Sequence, residues 1–115
     1  MNTWITQLRK GLLEFLILEV IAGGETYGYE LIQRLKEIDG IPLSESTVYP
    51  ILERLRGDGY LRMNVKSSQS GPARRYYSLS TLGEHRIYEM NNYWDNLCRS
   101  IESLRESVKG GSYAN

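Results

Sequence analysis

Apolar and polar positions repeat along the chain with different periods, and each change of period marks an element. Residues 3–22 carry Trp4, Ile5, Leu8, Leu12, Leu13, Phe15, Leu16, Ile17, Val20 and Ile21. This spacing fits a helix, and its density implies burial on more than one side. Gly11 inside it costs roughly 1 kcal/mol against alanine and weakens the first two turns. Gly23-Gly24 ends it. A second helix is expected from Tyr27 to Ile38, with Thr26 as N-cap. Leu31, Ile32, Leu35 and Ile38 form its inward stripe, and Gly40 and Pro42 stop it. A third helix starts at a cap supplied by Ser44 or Ser46, buries Ile51, Leu52 and Leu55, and breaks at Asp58-Gly59. With Ser44 as the cap, Pro50 falls in the second turn, where a backbone donor is normally needed, so an irregular first turn is expected.

The period then drops to two. Leu61, Met63 and Val65 alternate with Arg62, Asn64 and Lys66, the pattern of a half-buried strand. A Gly- and Pro-containing turn over Ser68–Pro72 leads into a return strand, Ala73 to Leu79, in which one of Tyr76 and Tyr77 packs inward and the other faces solvent. Residues 80–108 form the longest helix, opened by Ser80 or by a Thr81/Glu84 capping box. Its apolar positions are Ile87, Met90, Trp94, Leu97, Ile101, Leu104 and Val108, a heptad seam over three repeats. A helix this long extends past a three-helix domain of this size, so part of the seam requires a second chain. Residues 109–115 read as a frayed, flexible tail. The expected fold is mainly α with a small β-hairpin. Residues 1–79 form a winged helix-turn-helix DNA-binding domain and 80–108 a C-terminal dimerisation helix.

The chain has 115 residues, enough for one domain with a real core, and no net charge. Charge distribution says more. Residues 54–77 hold Arg54, Arg56, Arg62, Lys66, Arg74 and Arg75 against the single acid Asp58, whereas 84–106 is predominantly acidic. Such a protein aims one face at a polyanion. Cys98 is alone, which excludes an internal disulfide and a cysteine-based zinc cluster, and its place beside Leu97 suits a small apolar filler. His85 reads as a surface residue. Neither has a partner for catalysis or metal binding, so no enzyme, metal or cofactor is expected. Without a charged leader or a membrane-length apolar run, the chain reads as cytoplasmic.

Small hydroxyl side chains at a helix start can hydrogen-bond to base edges and phosphates in a DNA major groove. Ser44, Ser46, Thr47 and Tyr49 stand there, and Arg54 follows on the same helix. Capping alone would also account for the hydroxyls, but the basic hairpin that follows favours the groove. Arg74 and Arg75 opposite Arg62 and Lys66 would crowd like charge across two strands, which is unfavourable without a counterion. Phosphate is the natural one. Tyr29 offers a further surface hydroxyl.

At these residues the chain resembles the PadR family of bacterial transcriptional regulators, specifically its short-C-terminus subfamily. The resemblance rests on Gly11-Leu12-Leu13 with Ile17-Leu18, Tyr27-Gly28-Tyr29-Glu30, and Ser46-Thr47-Val48-Tyr49-Pro50-Ile51-Leu52 with Arg54-Leu55. It continues through Asp58-Gly59-Tyr60-Leu61, Arg74-Arg75-Tyr76-Tyr77-Ser78-Leu79 and Gly83. It implies a homodimeric winged-helix repressor, an operator of double-stranded DNA with dyad symmetry, and relief by a small molecule. It also implies an interface built by the first and last helices, which here carry Leu8, Leu12, Phe15, Met90, Trp94, Leu97, Ile101 and Leu104. Trp94 in its helical setting is similar to the multidrug-sensing members, where a tryptophan stacks planar aromatic ligands. Trp94, Tyr93 and Phe15 are therefore the expected ligand contacts, unless the two tryptophans fill the interface completely. The sequence departs from the family in having Ser80 where Thr commonly caps the last helix. The competing function is a winged-helix protein-interaction module whose basic wing grips an acidic partner.

Overall fold

The computed structural model describes residues 3–38, 43–68 and 70–110. The order of elements is α1 (Thr3–Ala22), β1 (Thr26–Tyr27), α2 (Gly28–Lys36), α3 (Glu45–Gly57), β2 (Leu61–Ser68), β3 (Gly71–Leu79) and α4 (Thr81–Gly110). The strands form one antiparallel sheet in the order β1-β3-β2. Helices and hairpin therefore follow the expected winged helix-turn-helix, with a long last helix and a third, two-residue strand added.

That short strand changes one local assignment. Thr26 does not cap the second helix: it pairs with Tyr77 in the sheet, and Tyr27 pairs with Tyr76. The cap position falls to Tyr27, which gives no side-chain hydrogen bond. The buried Thr26 hydroxyl instead donates to Glu30 Oε1 at 2.6 Å. The helix is correspondingly shorter than the expected Tyr27–Ile38, and Ile38 lies exposed beyond its end rather than in the inward stripe. Gly40 and Pro42 lie outside the described residues.

Ser44 occupies the cap position of α3, so Pro50 sits inside the helix. The expected irregular first turn does not appear: the helix is continuous from Glu45 to Gly57 and its first turn carries the regular bond to the Ser44 carbonyl. The N–H groups of Thr47 and Val48 both donate to the Ser44 carbonyl, at 3.1 and 3.2 Å. Ser80 opens α4. Its hydroxyl accepts from the Gly83 N–H at 3.0 Å and donates to the Gly59 carbonyl at 2.5 Å. A Cβ on Gly83 would strike the Tyr60 carbonyl, so only glycine lets α4 start this close to the wing root. The helix runs to Gly110, so Lys109 and Gly110 belong to it rather than to a tail. Residues 111–115 lie outside the description.

The core collects the inward stripes: Ile17, Leu18 and Ile21 of α1, Leu31 and Leu35 of α2, and Val48, Leu52 and Leu55 of α3. Leu61 and Tyr77 close it from the sheet and Ile87 from α4. Tyr77 is the inward member of its pair, as alternation predicts. The β2 alternation is real but buries only its root: Leu61 is buried, Met63 half-buried and Val65 exposed, because the hairpin leaves the body as it extends. On α4 only Ile87 of the heptad seam is buried, and the positions from Trp94 to Val108 are exposed in the single chain. Cys98 is exposed too, not a filler in this chain.

Candidate nucleic-acid interface

The α3 start presents its hydroxyls as a linked set. Ser44 Oγ lies 2.8 Å from Ser46 Oγ and 3.2 Å from Thr47 Oγ1, all three residues being exposed. The Ser44 hydroxyl makes no bond to the backbone of the turn it opens. Hydroxyls bonded only to one another at the surface are ready to exchange those bonds for an incoming polar edge.

Between this helix start and the sheet runs a groove of about 420 Å³, lined by Tyr27, Gly28, Tyr29, Tyr49, Ala73, Arg74 and Arg75. It exists because β1 is short. Beyond Tyr76 no strand covers that edge of β3, and the starts of α2 and α3 face it. Tyr49 is half-buried directly over Gly28, whose missing side chain makes the space: a Cβ there would lie 2.6 Å from the Tyr49 ring carbon Cε1. Burial raises the Tyr49 phenol above its ordinary value; the Glu45 carboxylate adds to the shift and the Arg75 guanidinium opposes it. The hydroxyl therefore stays protonated and able to donate. Tyr29 is exposed at the rim.

The wing cations divide between the two faces of the hairpin. Arg75 pairs with Val65 across the strands and shares the α3-facing side with Tyr77. Lys66 pairs with Arg74 on the other side, where Arg62 stands opposite Ser78. Of the expected like-charge crowding, only the Lys66–Arg74 pair is a true cross-strand pair. It is relieved within the molecule. Lys66 Nζ is ion-paired with Glu25 and lies 4.7 Å from the Tyr76 ring centre, and the Arg74 guanidinium covers Tyr27 at 4.5 Å. Tyr27 and Tyr76 meet edge to face at 5.2 Å.

Arg54 is placed differently from the other expected contacts. Its Nη2 donates to Glu14 of α1 at 2.9 Å, and Arg86 of α4 donates to the same carboxylate at 2.8 Å while stacking on Tyr60. Burial pushes the Glu14 carboxyl up, but the hydrogen bonds from Arg86 and Arg54 outweigh it and hold the group below the ordinary carboxylate range. Arg54 thus belongs to a clamp joining α1, α3 and α4. A second brace ties α3 to the wing. The buried Tyr77 hydroxyl donates to Glu53 at 2.9 Å, and burial together with that carboxylate pushes the phenol up to about 12.

Sequence reasoning missed Glu14, Glu25 and Glu53, because a solvated acid and an acid holding a distant cation look alike along a chain. Tyr27 and Ala73 were missed because a two-residue strand has no period to read.

On the opposite side of the molecule, α1 and α4 enclose an apolar groove of about 750 Å³. Leu8, Leu12, Phe15, Met90, Tyr93, Trp94 and Leu97 line it, together with Gln7, Gly11 and Glu89. Phe15 and Trp94 meet with their rings tilted by 43° and 5.7 Å between ring centres. Ile101 and Leu104 lie farther along α4, outside the groove. Among the described residues no helix is long and apolar enough to cross a membrane, and no group of His, Cys, Asp and Glu could hold a metal ion.

Comparison with known proteins is consistent with this geometry. Residues 17–89 match the model of the transcriptional regulator PadR-like family. A transcriptional regulator of Mycobacterium tuberculosis is 34% identical, over 83% of this chain and 80% of that protein. The crystal structure of a PadR-like transcription factor from Bacteroides fragilis superposes with a TM-score of 0.75 at 33% identity, covering 90% of this chain and 99% of the other. A PadR family regulator from Eggerthella lenta gives 0.78 at 31% identity, covering 90% of each chain. This chain belongs to the PadR-like family of transcriptional regulators, and its activity is DNA binding rather than catalysis.

Proposed function

We propose that the protein is a homodimeric repressor, bound to an operator with dyad symmetry and released by a planar aromatic effector. In each protomer the α3 start enters a major groove, and Ser46 and Thr47 reach base edges. Tyr29, Tyr49, Lys66, Arg74 and Arg75 take the phosphates beside it. The observation that carries this reading is the groove between the α2 and α3 starts and the open edge of β3. Tyr29, Tyr49, Arg74 and Arg75 all line it, next to an exposed hydroxyl cluster. Donors and cations in a groove flanking a helix start suit a DNA backbone bordering a major groove.

Dimerisation is supported by α4. Thirty helical residues span roughly 45 Å, against a molecule 62 Å long but only 33 by 21 Å across. The projecting part carries Leu97, Ile101, Leu104 and Val108 exposed along one seam. A second copy is the natural cover for a self-repeating heptad stripe, and it would hold two recognition helices about one turn of DNA apart. Effector relief is supported by the α1/α4 groove, where Phe15 and Trp94 are in contact. A ligand there lifts repression only by binding the DNA-incompetent dimer geometry better than the competent one.

The test is binding to DNA flanking the protein's own gene, measured across a salt series. If about six to eight counterions leave per dimer, log affinity should fall against log salt with a slope on the order of −5 to −7. A slope near zero would remove the wing from phosphate and favour an acidic protein partner. In a Trp4→Phe background planar dyes should quench Trp94 fluorescence, and dye anisotropy should show weaker binding to Trp94→Ala. Dye binding of undiminished affinity in that variant would rule out the groove.

A further inference from the structure

The α1–β1 turn delivers an acid to the wing. Gly23 and Gly24 end α1, and Gly24 adopts φ 148°, a conformation that side-chain-bearing residues rarely take. Glu25 follows at once and reaches Lys66, forty-one positions later, on the far strand of the sheet. The lysine crosses the Tyr76 ring to make this pair. Its cross-strand neighbour Arg74 lies on Tyr27, the second residue after Glu25. Two of the three cations on this face of the wing, Lys66 and Arg74, are therefore occupied, one by a carboxylate and one by an aromatic face.

We propose that Glu25 is an intramolecular competitor for the DNA backbone, a built-in brake that holds Lys66 until phosphate displaces it. The proposal rests on the reading of the wing as a phosphate contact and adds a residue that governs affinity from outside the contact set. The physical argument is one of exchange. Lys66 is half-exposed and Glu25 less so, so their pair sits in a largely aqueous dielectric and is weak. A polyanion with condensed counterions offers the ammonium a better partner, because binding releases those ions. Once Lys66 turns to phosphate, Glu25 is left unpaired beside the DNA. Both steps oppose binding. The consequence is a wing whose grip is weaker, and less dependent on salt, than its count of cations suggests. The pair also offsets the like charge of two cations that face each other across the hairpin.

The experiment uses the full chain and a fluorescein-labelled duplex of random sequence, so that only backbone contact is read, with fluorescence anisotropy over a salt series. Glu25→Gln is expected to raise affinity about three- to tenfold per dimer and to steepen the salt slope by about one to two. Glu106→Gln, the same change of charge on α4, measures the general effect of removing an acid and should give a smaller gain. The decisive comparison is a double-mutant cycle with Lys66→Gln, in which the excess gain from Glu25→Gln should vanish. Three results overturn the brake: a Glu25→Gln gain no larger than that of Glu106→Gln, a gain that persists without Lys66, or a loss of affinity, which would make Glu25 a positioner of the lysine. Failure of wild type and Glu25→Gln alike to bind any duplex would overturn the phosphate reading and the brake together. Binding by both with equal affinity and slope overturns the brake alone.

Discussion

The packed body of the molecule and the far half of α4 obey opposite rules. In the body, each apolar stripe finds a facing stripe from the same chain. Leu18, Leu31, Val48, Leu52 and Leu55 are wholly buried, and the charged residues that bridge elements do so in pairs such as Glu14 with Arg54 and Arg86. Along α4 beyond Met90 the same kind of residue, at equally regular spacing, stays in water: Leu104 is 62% exposed. Periodicity alone is therefore not evidence of burial within a chain. It marks one apolar face of a helix, and geometry decides whether the same molecule covers that face.

The sharpest way to break this contrast is to charge the seam. If α4 forms the proposed dimer seam, Leu97→Asp places an unpaired carboxylate between subunits, which is strongly unfavourable, so sedimentation should show monomers and operator binding should be lost with the dimer. Circular dichroism should still show the folded body, since Leu97 contributes nothing to its core. A monomer that bound a full operator at wild-type affinity would refute the coupling. The complementary change is Leu52→Ala, at a fully buried position. It should cost about 2–5 kcal/mol of stability in urea titration, equally at every protein concentration that preserves the assembly state, whereas truncating Leu97 should act through concentration.

A smaller effect is expected where the body and the proposed DNA site share a residue. Gly28→Ala forces a methyl group into the Tyr49 ring. Overpacking of this kind costs about 1–3 kcal/mol, and it moves the Tyr49 hydroxyl in the groove, so DNA affinity should fall along with thermal stability. An alanine variant with unchanged affinity would show that the position of Tyr49 does not matter for binding.

The smallest effect concerns the clamp at Glu14. Its folded pKa lies below the ordinary value of 4.5, so its contribution is fully present above that value and is lost as pH falls through the folded pKa. The partners are 38% and 52% exposed, and solvent screening limits the contribution to about 0.5–1 kcal/mol. Stability of the wild type should therefore drop more than that of Glu14→Gln as acid is added below about pH 4.5. Parallel curves would mean that the clamp carries no net energy.

How far each feature was legible follows from its range along the chain. By itself the sequence determined the helix over 3–22, the alternation of the wing, the heptad seam of α4 and the hydroxyl cluster at 44–47, because each is a local repeat or a contiguous motif read within a turn or two. It also carried the family motifs that identify the chain as a transcriptional regulator. It did not show that the third helix would take Pro50 into its second turn without a break, since a proline costs only the one bond its missing donor would make. Only the tertiary structure decided that Thr26 joins the sheet instead of capping a helix, that Arg54 turns to Glu14, and that Lys66 finds Glu25. Those outcomes depend on partners dozens of residues away, whose distance is set by how the helices pack. An isolated carboxylate or hydroxyl gives no sign of which partner the fold will bring to it.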